Sequence, residues 1–147
     1  MSIYTQTIQG IYTALASAAR TTTQVINGRT LIDPAYGTGL SGNGINPEAS
    51  GIIAYLNVTG AGGGGETLQL VLEEQDPVSG TWVTIAATTA TTATGLVRLK
   101  LKQAIVAIAA SITQVQVQDT LPAIWRIRVV HSASASWTYS LGIVLYN

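Results

Sequence analysis

The chain has no cysteine and a single histidine among its 147 residues. Without thiols there is no disulfide framework, no thiolate nucleophile and no thiolate metal site. The lone His131 excludes the multi-histidine clusters that hold zinc or non-haem iron. Phenylalanine is missing too, so tryptophan and tyrosine must supply the aromatic bulk of the core. Charge is scarce: seven basic residues balance seven acidic ones, and charged side chains make up 10% of the chain. A protein that neutralises phosphates needs a basic surplus or a basic stripe, which argues against a nucleic-acid partner. So few charges among so much Thr, Ser, Gln and Gly leave a weakly self-repelling surface, which suits association. Long apolar runs are also lacking. The longest, Ala104 to Ala110, has seven residues, against the roughly 20 that a membrane-spanning helix needs. The opening Met1-Ser2-Ile3-Tyr4-Thr5-Gln6 has neither the basic region nor the apolar stretch of a secretory signal, so synthesis and folding in the cytoplasm are expected. No repeat of about 20–50 residues recurs, which argues against a solenoid.

Apolar residues make up 47% of the chain, enough for the core of one domain. From Gly51 onward their pattern has period two. Ile52, Ala54, Leu56 and Val58 share one face, as do Leu68, Leu70 and Leu72. Val97-Arg98-Leu99-Lys100-Leu101-Lys102 alternates strictly between apolar and basic, and Val115 and Val117 alternate with Gln114, Gln116 and Gln118. Trp125, Ile127 and Val129 form a further row, and Trp137, Tyr139, Leu141, Ile143 and Leu145 the last. Successive strand side chains leave on opposite faces, so each run predicts a strand with one wet and one dry side. With Trp82–Ala86 this makes about seven strands after residue 50 and about eight in all. They predict an all-β fold of antiparallel sheets packed face to face, not βαβ units.

Asp76-Pro77-Val78-Ser79-Gly80 predicts a hairpin turn: Pro77 presets φ, Asp76 bonds the turn backbone, and Gly80 supplies positive φ. Gly60 to Gly65 reads as a second, flexible hairpin loop. Gln103 to Ser111 fits either a short helix or a sheet crossover. The first fifty residues differ from the rest. Ile8, Ile11, Tyr12, Leu15 and Ala18 recur at helical spacing and favour an amphipathic helix, against which stand the poor helix formers Thr5, Thr7, Gly10 and Thr13. Asn27 to Ser50 is a Gly-rich stretch of about 24 residues, longer than the ~12–15 usual for a structureless connection. The expected organisation is therefore a main sandwich over residues 51–147, preceded by an N-terminal arm and loop over residues 1–50, in a single domain. Leu31, Ile32, Tyr36, Leu40 and Ile45 along that loop need a covering surface, either a neighbouring subunit or the chain's own sandwich.

Candidate chemistry is thin. Gly60 to Thr67 has the spacing of a phosphate-binding loop, but Glu66 stands where the lysine belongs and a strand follows instead of a helix. Glu73 and Glu74 point to opposite faces; Glu74 and Asp76 share one, beside a turn, where solvation is the plainer expectation. His131 lies at a strand end, without a Gly-x-Ser-x-Gly elbow or any other sign of a triad, and is expected to be partly exposed. Asp33, Glu48, Glu66 and Asp119 are scattered singly. Trp82, Trp125 and Trp137 raise a carbohydrate-stacking hypothesis, against which core packing is favoured. Arg98, Lys100 and Lys102 form a basic row that pairs with acidic groups across the sheet or on a partner, and three charges are few for nucleic acid. No catalytic, cofactor-binding or metal-ligating residue is assigned, and no enzymatic activity is expected.

Several segments, in order, carry a family resemblance: Ala16-Ser17-Ala18-Ala19-Arg20-Thr21, Gly51 to Thr59, Asp76-Pro77-Val78-Ser79-Gly80-Thr81-Trp82, Ala93-Thr94-Gly95, Leu121 to Val129, and Trp137-Thr138-Tyr139-Ser140-Leu141-Gly142. Over roughly residues 14–147 the chain resembles small structural proteins of tailed bacteriophages, found among head and virion genes. Residues 1–13 and the loop Asn27–Ser50 extend beyond the shared pattern. The resemblance implies a capsid decoration (cement) protein with a jelly-roll β-sandwich. It further implies a homo-oligomer, most simply a trimer, bound to the major capsid protein on the virion surface after synthesis in the host bacterial cytoplasm. The alternative is a carbohydrate- or receptor-binding module of a tail or fibre, distinguished by exposure of the tryptophans.

Overall fold

A computed structural model describes residues 8–32, 49–103 and 105–147. Among the described residues the fold is all-β apart from one short helix. The described residues form nine strands in the order β1 (Ile8–Arg20), β2 (Gln24–Asn27), β3 (Gly51–Gly60), β4 (Leu68–Gln75), β5 (Trp82–Ala87), β6 (Gly95–Lys102), β7 (Gln114–Gln118), β8 (Trp125–His131) and β9 (Trp137–Tyr146), with α1 (Gly28–Ile32) after β2. Seven strands follow residue 50, as the alternation predicts. They form two sheets: five strands in the order β1-β9-β3-β6-β7 (sheet A) and four in the order β2-β8-β4-β5 (sheet B).

Every alternating row faces inward. Ile52, Ala54, Leu56, Leu68, Leu70, Leu72, Leu99, Leu101, Ile127, Val129, Leu141, Ile143 and Leu145 are fully buried and join one core between the sheets. In the absence of phenylalanine, Trp125, Trp137 and Tyr139 fill that core. Burying a Leu or Ile side chain contributes about 1.5–3 kcal/mol, so these rows hold the two sheets together.

The pairings are nested. β4 pairs β5, β3 pairs β6, β2 pairs β8 and β1 pairs β9, all antiparallel, like successive rungs of one long hairpin. Successive rungs fall on alternate sheets, and the β3–β9 and β4–β8 pairings stitch the rungs together. Only β7 lies outside the nest. It runs parallel to β6, with Leu99 opposite Val115, a departure from the purely antiparallel expectation. Parallel neighbours need a crossover connection, and among the described residues Gln103–Ser111 supplies it without a helix. Part of that crossover lies along the outer edge of β7, where Ile108 and Gln116 exchange backbone hydrogen bonds at 3.0 and 3.1 Å.

The helical spacing in Ile8–Ala18 belongs to a strand. β1 shifts register against β9 between Ile8 and Gly10, Thr13 and Leu15, and Leu15 and Ala18. Each extra residue breaks the two-residue period. Tyr12, Ala14 and Leu15 therefore meet the core at uneven intervals that imitate a helical stripe. Residues 8–27 thus contribute an edge strand to each sheet, and Leu31 and Ile32 pack against the core. Tyr36, Leu40 and Ile45, with most of the expected arm, lie outside the described residues.

The turn at Asp76–Gly80 forms as the sequence implies. Asp76 Oδ1 accepts the Val78 N–H at 2.9 Å, its Oδ2 accepts the Ser79 hydroxyl at 2.6 Å, and Gly80 has φ +73°. Gly60–Gly65, by contrast, is no hairpin. It carries the chain from β3 in sheet A to β4 in sheet B, and a Cβ at Gly62 would collide with the indole of Trp137.

Candidate functional site

Three polar arrangements stand out among the described residues. The first clasps the two sheets. β8 ends at His131 and β9 carries Tyr139, so the hydrogen bond between His131 Nε2 and the Tyr139 hydroxyl, 2.9 Å, joins sheet B to sheet A inside the core. The backbone N–H of His131 donates to Thr23 Oγ1 at 3.1 Å, and its Nδ1 is buried without a hydrogen-bond partner. Arg20 sits 4.9 Å above the Tyr139 ring and donates to the carbonyls of Ala16, Ala18 and Tyr139, spanning the β1 register shift between Leu15 and Ala18. Burial lowers the pKa of His131; Glu66 opposes the shift and Arg20 adds to it. Burial also pushes the Tyr139 phenol up to about 12, against a smaller opposing effect of Arg20. Both groups are therefore neutral at pH 7. Tyr139 is 0% exposed and His131 9%, so the pair ties the sheets together and is closed to a substrate. This corrects the expected part-exposed strand-end histidine: the Trp125-Ile127-Val129 row continues inward through His131.

The second arrangement is on the outer face of sheet B. Glu73 is opposite Arg126 and diagonal to Arg128 across the β4–β8 pair. It accepts from Arg126 Nε at 2.5 Å and Arg128 Nη2 at 3.0 Å. Arg126 also lies 4.1 Å over the ring of Trp82 on β5. Each carboxylate oxygen of Glu73 is thus engaged by a guanidinium group.

The third is on the outer face of sheet A. There Arg98 Nη2 donates to the side-chain oxygens of Gln114 and Gln116 at 2.9 and 3.1 Å, and Lys102 Nζ lies 3.8 Å over the ring of Tyr146. Lys102 is buried; that burial, and then neighbouring Lys100, lowers its pKa.

The remaining sequence candidates do not converge. Gly60–Thr67 leads into a strand, and Glu66 Oε2 accepts the backbone N–H of Ala135 at 2.6 Å. Glu74 is exposed, while Asp76 is occupied by its own turn, whose hydrogen bonds to Ser79 and Val78 lower its pKa. Trp125 and Trp137 are buried at 3% and 0% exposure, and half-buried Trp82 is covered by Arg126. Asp119 accepts from the N–H of Thr120, and Asp33 and Glu48 lie outside the described residues. Among the described residues, no three of His, Cys, Asp and Glu are grouped to hold a metal ion, and no helix is long and apolar enough to cross a membrane.

Sequence reasoning missed the Glu73 clamp, the His131–Tyr139 clasp and the partners of Arg98 and Lys102. The Arg126-x-Arg128 alternation was a signal for the first, but only the register with β4 identifies its partner. No protein-family model matches this chain, and no curated protein sequence matches it.

Proposed function

We propose that this protein is a structural component of a tailed-phage virion, a decoration (cement) protein that binds the outside of the capsid and stabilises the assembled head. The nesting of the strand pairs carries the proposal. Four antiparallel rungs laid alternately on two sheets, with β7 added at one edge, support reading the fold as a jelly roll. Jelly rolls serve as viral capsid and lectin domains. Between those uses the tryptophans favour the virion: a sugar-stacking face needs exposed rings, and Trp125 and Trp137 are core residues.

On this reading the protein acts by binding, without catalysis, cofactor, metal, nucleic acid, membrane or small-molecule substrate. Its partners are the major capsid protein and further copies of itself, as a homotrimer. The edge strand β1 supports self-association, since it leaves Ile8 and Ile11 52% and 74% exposed and carries neither Lys nor Pro to guard the edge that no described strand pairs. Made in the host bacterial cytoplasm, the protein ends on the capsid surface.

Particles produced without the protein test the proposal. They should burst at lower temperature than complete particles, and purified protein added back should bind them and restore resistance. Equal stability, with no binding of the added protein, would overturn the proposal. Intact heads combined with failed attachment to host cells would favour the tail or fibre receptor-binding module instead.

A further inference from the structure

We infer that the outer face of sheet A is a docking surface for an extended, carboxylate-bearing protein segment. β6 buries Val97, Leu99 and Leu101 and so sends Arg98, Lys100 and Lys102 to the opposite face, about 6.6–6.8 Å apart along the strand. Parallel β7 sets Gln114, Gln116 and Gln118 beside them, one opposite each cation.

Arg98 and Lys102 are held in place, and among the described residues none of the three cations is paired with a carboxylate. Arg98 is fixed by two amide oxygens, which orient its guanidinium and leave its charge unmatched. Lys102 lies flat across the sheet to Tyr146, and Gly51 makes this possible: a Cβ there would stand 3.0 Å from Lys102 Cγ. Among the described residues both ion pairs belong to Glu73, on the other sheet. The contrast is internal to the molecule. Arg126 and Arg128 have their carboxylate, while Arg98, Lys100 and Lys102 have none among the described residues. Lys102 is 9% exposed, whereas Arg98 and Lys100 are half-buried, so those two present the accessible charge of the row.

The spacing selects the partner. Carboxylates at alternate positions of an extended strand recur at about 6.6–6.8 Å, the interval of the cations, and the amides of Gln114 and Gln118 lie beside them, that of Gln116 being bonded to Arg98 and Val106. Nucleic acid is disfavoured, because three phosphate contacts give only weak, shallow salt dependence. A stacked sugar is disfavoured because Lys102 already covers a face of the Tyr146 ring. The inference stands on this face alone and goes beyond the virion proposal, so either can fail without the other.

A fluorescent peptide of alternating Glu and Thr, titrated with the full chain at about 50 mM salt, is the test. Binding is expected, weakening as salt rises. The double variant R98Q/K100Q should lose roughly tenfold or more in affinity, while E74Q binds as the parent does. Should the double variant not fold, K100E alone, on a side chain without a hydrogen-bond partner among the described residues, is expected to weaken binding. No binding by the parent, unchanged binding by a folded charge variant, or tighter binding of a single-stranded oligonucleotide or sulfated glycan of equal charge would each overturn the inference.

Discussion

Replacing Glu73 with alanine should destabilise the fold more than any other single change on its surface. The carboxylate side chain is 6% exposed and receives hydrogen bonds from Arg126 and Arg128, at 2.5 and 3.0 Å. Truncation removes both bonds and leaves two guanidiniums facing each other across an emptied site. Breaking a fully buried pair from one side costs about 3–5 kcal/mol. Here the arginine side chains are 23% and 31% exposed, so each turns partly to water and the cost falls to about 2–3 kcal/mol. For a chain of this size the urea slope is about 1–3 kcal/mol per molar, so the unfolding midpoint should drop by roughly 0.7–3 M. R128A should cost less than E73A, since it leaves the carboxylate its shorter bond to Arg126. A drop below about 0.5 kcal/mol for E73A, the size of an ordinary surface change, would refute the assignment of Glu73 as the organising anion of sheet B.

Leu70→Asp places a carboxylate at a fully buried position in the middle of β4; the cooperative thermal transition should vanish, and its survival would show the inward face to be misassigned. Gly80→Ala forces a side chain into φ +73° and should lower stability by about 1–2 kcal/mol in urea titration; no change would mean that the turn relaxes. Because burial depresses the His131 pKa in the folded state, the unfolded chain takes up the proton first, near the ordinary 6.5. Stability is therefore full above about pH 6.5 and falls as the pH drops below it. Urea midpoints between about pH 7 and 5 should slope for the parent and flatten for H131Q; parallel slopes would show that other groups carry the acid sensitivity.

The inward rows were legible because a strand buried on one face must alternate, and Leu68-Leu70-Leu72 or Trp137 through Leu145 permits no other register. The Asp76–Gly80 turn was legible because each of its residues has a local reason to be there. β1 was not: its three register shifts scramble the period that identifies a strand. The inter-sheet course of Gly60–Gly65 was hidden for another reason, since glycine loops carry no record of which strands they join. His131 and Tyr139 are eight residues apart in sequence, and nothing local says that they meet across the core. Arg98, Lys100 and Lys102 were visible as a row, and their glutamine partners as a second row. That the two rows adjoin depends on the parallel β6–β7 pairing, which a pattern of antiparallel hairpins does not suggest.

Electron cryo-microscopy of the assembled particle is the most direct test of the proposed function. The account predicts two-sheet densities of this fold on the outer surface of the head, grouped in threes, each touching the major capsid protein. Density for this chain confined to the tail or its fibres, or no density in the particle at all, would contradict it.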